Sequence, residues 1–243
     1  MRVVVTRPQH SGERTVRRLA QMGHEALLLP LAEPVHLVEE AWQALLDTEG
    51  AIAVTSAEAI RVLALLGSDL AEHLGRPLFA VGRATAKEAA NLGFTNVVIS
   101  EGGGGTELAA LISGHAASLA KAPLLYLAGH PRAASFETRL AELQLPFRTV
   151  ECYRMLDIVP EDDSLRRLFI DRNVDAVLLY SHQTAQRFFG LSFVQRNREI
   201  FTETRFLCLS EAIAEAIPAA MRLHVDTADM PNEDRLLALL DAE

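Results

Sequence analysis

Short apolar runs alternate with amphipathic stretches along almost the whole chain. Runs such as Val3-Val4-Val5, Ala51-Ile52-Ala53-Val54, Leu78-Phe79-Ala80-Val81, Leu124-Leu125-Tyr126-Leu127, Val177-Leu178-Leu179 and Phe206-Leu207-Cys208-Leu209 are apolar at consecutive positions. A strand that is apolar on both sides belongs in a parallel sheet covered on both faces, and the amphipathic stretches between are its crossover helices. The pattern predicts strands at about 2–6, 25–29, 51–55, 78–81, 96–99, 123–127, 147–150, 174–180, 205–209 and 222–226. The clearest helices are predicted at about 12–22, 57–66, 84–92, 106–113, 133–143, 183–190, 211–217 and 232–241. Within 133–143, Phe136, Leu140 and Leu143 share one face. Pro231-Asn232 marks the start of the last helix.

One turn signature recurs. An apolar strand ends in a small polar residue or Gly, and a helix opens with Ala or Thr. It reads Val54-Thr55-Ser56-Ala57, Val81-Gly82-Arg83-Ala84-Thr85-Ala86, Tyr180-Ser181-His182-Gln183-Thr184-Ala185 and Leu209-Ser210-Glu211-Ala212. Helix N-termini point unpaired N–H groups and a positive dipole outward, so such turns favour anions. Ligands of open α/β sheets bind outside the carboxyl ends of the strands, where these turns lie.

An internal duplication sets the domain layout. Residues 1–30 run strand, Arg7-Pro8, helix with Arg18-Leu19-Ala20, strand. Residues 124–153 run strand, His130-Pro131, helix with Arg139-Leu140-Ala141, strand. The Thr55-Ser56 and Gly82 turns precede the second unit, whereas the Ser181 and Ser210 turns follow the first. The copies are thus circularly permuted. The expected fold is α/β, with two similar doubly wound parallel-sheet domains joined by a two-stranded linker. One domain is discontinuous, 1–34 plus 158–243, and the other, 37–150, is inserted into it. The crossings at 33–37 and 151–157 are extended and expected to pair as a mobile hinge.

Composition narrows the class. The chain has 243 residues, 49% of them hydrophobic and 23% charged, as an ordinary globular protein does. The formal net charge of −9 argues against a general nucleic-acid binder, but leaves room for a locally positive cleft. No apolar run approaches the roughly 20 residues of a membrane span. The N-terminus enters a strand at once without a signal-peptide h-region. Cys152 and Cys208 form neither a disulfide framework nor a metal spacing. These features predict a cytoplasmic protein, and the lack of an obvious exposed apolar face leans towards a monomer.

Familiar chemistry is missing. The run Gly102-Gly103-Gly104-Gly105-Thr106 is followed by Glu107, not by the Lys-Ser/Thr of a phosphate loop, and is expected to be a loop ending in a Thr106 cap. The eight His show no metal-ligand pairing. No G-x-S-x-G elbow occurs, and Ser181 and His182 are not a dyad. Arg7, Arg83, Arg132 and Arg154 cluster at predicted strand ends or crossings, so an anionic ligand is the natural guess. Thr55, Ser56, Thr85, Ser181, Thr184 and Ser210 read first as helix caps, several doubling as ligand contacts. Tyr153, on a crossing, is either a packing aromatic or a hydrogen-bonding group facing a ligand.

At these residues the chain resembles the uroporphyrinogen-III synthase family. The likeness lies in an ordered set: Thr6-Arg7-Pro8, Val54-Thr55-Ser56-Ala57, Val81-Gly82-Arg83-Ala84-Thr85-Ala86, Ala128-Gly129-His130, Tyr153-Arg154, Ser181 with Thr184-Ala185, and Leu209-Ser210-Glu211-Ala212. It covers essentially the full length. The resemblance implies two α/β domains, the first discontinuous, on a two-stranded linker. It implies closure of hydroxymethylbilane, a linear tetrapyrrole with eight carboxylates, to uroporphyrinogen III. The hydroxyl leaves as water to give an azafulvene cation, and ring D inverts through a spiro-pyrrolenine. No cofactor or metal is implied. The substrate closes unaided to the wrong isomer, so geometry matters more than strong acid or base chemistry.

Carried over by position, the resemblance makes Tyr153 the catalytic residue that assists departure of the hydroxyl. Arg7, Thr55, Ser56, Gly82, Thr85, Gly129, Ser181, Thr184 and Ser210 become substrate contacts. Many relatives have Gly followed by Thr-Ala at the last turn, whereas this chain has Ser210-Glu211-Ala212-Ile213-Ala214. Glu211 would oppose an anionic ligand if it faced one. Expected partners are this substrate and transient contact with hydroxymethylbilane synthase, with no nucleic acid and no membrane. Two other classes stay open: a non-catalytic two-domain small-anion-binding protein, and a nucleotide-dependent enzyme that lacks the usual Gly-rich fingerprints.

Overall fold

A computed structural model describes residues 1–100, 104–115 and 122–241. The chain divides into two compact units, residues 1–33 with 156–243, and residues 34–155.

The first unit is built on strands β1 (Arg2–Val5), β2 (Glu25–Leu28), β9 (Ala176–Leu179), β10 (Arg205–Cys208) and β11 (Val225–Thr227), in the order β11-β10-β9-β1-β2. All four pairings are parallel. Alternation decides which face each side chain enters. Val3 and Val5 pack with Ala176, Leu178 and Leu207 beneath Leu19 of helix α1 (Gln9–Gln21) and Leu236 of helix α11 (Glu233–Ala238). Val4, Val177 and Leu179 face the other way. They meet an aromatic layer of Phe169, Phe188, Phe189, Phe193, Phe201 and Phe206. Helices α7 (Asp162–Phe169), α8 (His182–Gly190) and α9 (Ser192–Arg196) carry much of that layer, and α10 (Glu211–Ala214) adds Ile213.

The second unit holds β3 (Ala32–His36), β4 (Ile52–Val54), β5 (Leu78–Val81), β6 (Val97–Ser100), β7 (Leu124–His130) and β8 (Phe147–Asp157), ordered β3-β8-β7-β4-β5-β6. Helices α2 (Val38–Leu46), α3 (Ala57–Ala64) and α4 (Gly82–Leu92) cover one face. Helices α5 (Gly105–Ser113) and α6 (Ser135–Glu142) cover the other, with Phe136 and Leu140 buried against Tyr126. The order β8-β7-β4-β5-β6 repeats β2-β1-β9-β10-β11, with the chain entering at a different strand. The order of connection reverses between β1 and β9 in one unit and between β7 and β4 in the other.

Several local expectations change. The strand expected at 147–150 runs to Asp157, and the helix expected at 211–217 ends at Ala214. Helix α5 starts at Gly105 with Gly104 in the capping position, so Thr106 is no cap; Gly102 and Gly103 lie outside the described residues. Asn232 does cap the last helix, its side chain accepting from Arg235 N at 3.0 Å.

Candidate functional site

The expected site residues sit at the carboxyl ends of parallel strands in both units, with Tyr153 on β8. In the second unit the ends of β4 and β7 and the middle of β8 converge. Ser56 caps α3 by accepting from Glu58 N at 3.1 Å. The Tyr153 phenol lies beside the Ser56 side chain. Its ring packs against Gly129, where an added Cβ would stand 2.2 Å from Cζ and 2.4 Å from the phenol oxygen. Only a residue without a side chain leaves room for this aromatic. Burial pushes the Tyr153 phenol up to about 12; Ser56 opposes the shift, while Cys152, Glu58 and Tyr126 add to it. The phenol therefore keeps its proton at neutral pH and can donate a hydrogen bond.

Thr55 has a structural duty beside it. Its Oγ1 lies 3.0 Å from the hydroxyl of Tyr126, which is 1% exposed and would otherwise be unpaired. Gly82 opens α4 at φ +74°, a left-handed backbone, and a Cβ there would meet nothing within 4 Å. Thr85 is buried on the inner side of α4, so it is neither a cap nor an open hydroxyl.

In the first unit Ser181 caps α8. Its Oγ accepts from Thr184 N at 3.1 Å and lies 2.9 Å from Thr184 Oγ1, so both hydroxyls meet at one exposed helix start. Ser210 occupies the capping position of α10 without a side-chain bond, and that helix is a single turn. Glu211 is exposed there.

The arginines are more committed than their spacing suggested. Arg7 Nη1 reaches Glu233 Oε1 at 2.8 Å, and the guanidinium lies 4.4 Å from the centre of the Tyr180 ring. Glu233 also accepts from Thr15 at 2.6 Å, Arg18 at 3.0 Å and Tyr180 at 3.2 Å. Burial raises the Glu233 carboxyl, but the Thr15 hydrogen bond and the Arg7 and Arg18 charges outweigh it and hold it below the ordinary range. Burial likewise drives the Tyr180 phenol strongly upward. Arg132 clamps Glu137 at 2.9 and 3.2 Å and Glu151 at 3.1 Å, and Arg154 reaches Glu151 at 3.3 Å. Spacing gave no sign of Glu233 or Tyr180, because Arg7 and Glu233 stand 226 positions apart. Among the described residues no cluster of three or more His, Cys, Asp or Glu could hold a metal ion. No described helix is long and apolar enough to cross a membrane.

Fold and strand-end chemistry together define a class: a duplicated, doubly wound α/β protein whose strand ends carry capped helix starts and protonated phenols. The family model for uroporphyrinogen-III synthase HemD (HEM4) matches residues 13–238. The chain belongs to the uroporphyrinogen-III synthase family, cofactor-independent cyclising lyases of porphyrin biosynthesis. The uroporphyrinogen-III synthetase of Helicobacter pylori 26695 has the same fold, with TM-score 0.67 and 18% identity over 100% of this chain and 99% of that one. A mutant uroporphyrinogen III synthase of the extremely thermophilic bacterium Thermus thermophilus superposes with TM-score 0.60 and 20% identity, over 99% and 96%. No curated protein matches the chain. The function is that of the family, formation of uroporphyrinogen III from hydroxymethylbilane, and a non-catalytic binding role is not favoured.

Proposed function

We propose that this chain closes hydroxymethylbilane at the carboxyl ends of its strands, with Tyr153 beside the departing hydroxyl. The observation that carries this is the packing of Tyr153 on Gly129 and Ser56, which gathers three separately expected residues into one place. Tyr153 holds its proton at neutral pH, so its part is to donate a hydrogen bond to the leaving oxygen, not to act as a base. Ring carboxylates are taken by backbone N–H groups and hydroxyls at Thr55, Ser56, Gly82, Gly129, Ser181, Thr184 and Ser210. Thr85 is buried inside the first turns of α4 and supports that turn without touching the substrate. Arg7 is the charge partner. Its Nη1 is spent on Glu233 and Thr15, while Nε and Nη2 have no hydrogen bond among the described residues.

In this reading residues 33–37 and 151–157 are linker strands. The protein works as a cytoplasmic monomer and takes its unstable substrate through transient contact with hydroxymethylbilane synthase.

The test is a coupled assay. Hydroxymethylbilane is made in situ, the products are oxidised, and uroporphyrin isomers I and III are separated by chromatography. Isomer III is expected from the wild type, and Tyr153→Phe is expected to slow turnover with KM largely kept. Unchanged turnover in Tyr153→Phe removes Tyr153 from the reaction; isomer I alone from folded wild type removes the function.

A further inference from the structure

The first turn of α3 carries a carboxylate that the motifs did not single out. Glu58 stands two residues past Ser56, and its side chain is only 12% exposed. Oε1 meets His36 Nε2 at 2.7 Å, and Oε2 accepts from Arg61 Nη1 at 2.5 Å. Arg61 Nη2 goes on to Glu88 at 3.1 Å, so that guanidinium is divided between two carboxylates. His36 ends β3, the neighbour of β8 in the sheet, and Leu37 N donates to Cys152 O at 2.8 Å. Glu58 is thus fixed against the turn that holds Tyr153, close enough for its charge to oppose loss of the phenol proton.

Ring closure passes through positive charge. The C–O bond of the hydroxymethyl group breaks and both electrons leave with oxygen, which takes up one proton and departs as water. The pyrrole nitrogen pair spreads the resulting charge over the ring. Attack by a pyrrole carbon passes the charge to the attacking ring, and the proton lost on re-aromatisation discharges it and balances the one taken up. Amides, hydroxyls and arginines suit the substrate carboxylates but oppose this cation. A carboxylate held in place before reaction lowers the barrier, because no reorganisation is needed when charge appears.

We infer that Glu58 is the fixed negative charge that stabilises the cation formed beside Tyr153, and that His36 tempers it. The inference rests on the placing of Tyr153 at the departing hydroxyl.

Glu58→Gln keeps size and a hydrogen bond to His36 but removes the charge. Its kcat for isomer III is expected to fall about tenfold with KM close to wild type, in a protein that still melts cooperatively though at a lower temperature, since the Arg61 ion pair is lost. His36→Gln removes the tempering partner, and its kcat is expected not to fall. If the pair merely braces α3, both variants slow together, which overturns the inference; so does an unchanged kcat in Glu58→Gln. Glu58→Asp keeps the charge and is expected to outperform Glu58→Gln; the reverse order also overturns it, and this arm remains if the Gln variant folds poorly. Wild type yielding only isomer I sinks the underlying function instead, and a fully active Tyr153→Phe sinks the placing of Tyr153.

Discussion

Gly129→Ala tests the geometry around Tyr153 without touching its phenol. Gly129 pairs with Tyr153 across β7 and β8, and the added methyl would lie 2.2, 2.4 and 2.6 Å from Cζ, Oη and Cε2 of the ring. Carbon atoms in ordinary contact stand about 3.5–4.0 Å apart, so the ring must retreat by roughly 1.3–1.8 Å. Gly129 is not among the glycines of positive φ, so alanine adds no backbone strain there. Overpacking of this size costs about 1–3 kcal/mol of stability. A reacting group misplaced by ~1 Å costs on the order of 10²-fold in rate. The expected result is a 10- to 100-fold lower kcat, roughly, in a protein that still melts cooperatively. The coupled isomer assay reads it directly, because substrate that escapes the enzyme closes to isomer I and the I:III ratio rises. A double-mutant cycle isolates the cause. In a Tyr153→Ala background the three atoms nearest the methyl are gone, and Gly129→Ala is expected to add little further loss. An unchanged I:III ratio in folded Gly129→Ala refutes the reasoning, since the position of the ring would then not matter.

Two more outcomes follow from the first unit. The Glu233 carboxyl is held below its unfolded value, so its stabilisation is complete above the ordinary carboxylate range and is lost as pH falls through the lowered value. Glu233→Gln is expected to cost roughly 1.5–3 kcal/mol at neutral pH and to converge with wild type in acid, by denaturant melts across pH; a constant gap at all pH values would contradict this. Ser181→Ala removes the α8 cap and is expected to cost about 1 kcal/mol. It is also expected to raise KM several-fold; a normal KM with the stability loss makes Ser181 a cap alone.

The parallel sheets were legible because their strands are buried on both faces and so read as unbroken apolar runs. Phe136, Leu140 and the Asn232 cap were legible for a similar reason: their signals are local. Helices α2 and α7 were not singled out. One is Val38–Leu46, with two acids in its first turn; the other is Asp162–Phe169, with only two buried residues, Leu165 and Phe169. The sequence placed a strand at 147–150 and a separate extended crossing at 151–157, whose residues are largely polar, whereas the structure joins the two into one strand. Turn chemistry gave the candidate site residues, but not their electrostatics. Glu233 on Arg7, Glu137 and Glu151 on Arg132, and His36 on Glu58 are pairings made by the folded chain, and only the sheet order brings the distant partners together.

The place of β1 in its sheet governs how the chain can emerge from the ribosome. β1 lies between β2 and β9, so Val3 pairs with Ala26 on one side and with Ala176 on the other. At about 5–20 residues per second, β9 follows β1 by tens of seconds or less. Throughout that interval the second unit can be made and close on itself. The nascent β1–β2 pair meanwhile shows an open strand edge bearing Val3, Val4 and Val5, all at 0% exposure once folded. β1 and β2 are therefore made well before the strand that shelters β1, and conditions that slow translation between residues 34 and 176 lengthen their exposure to mispairing and chaperones.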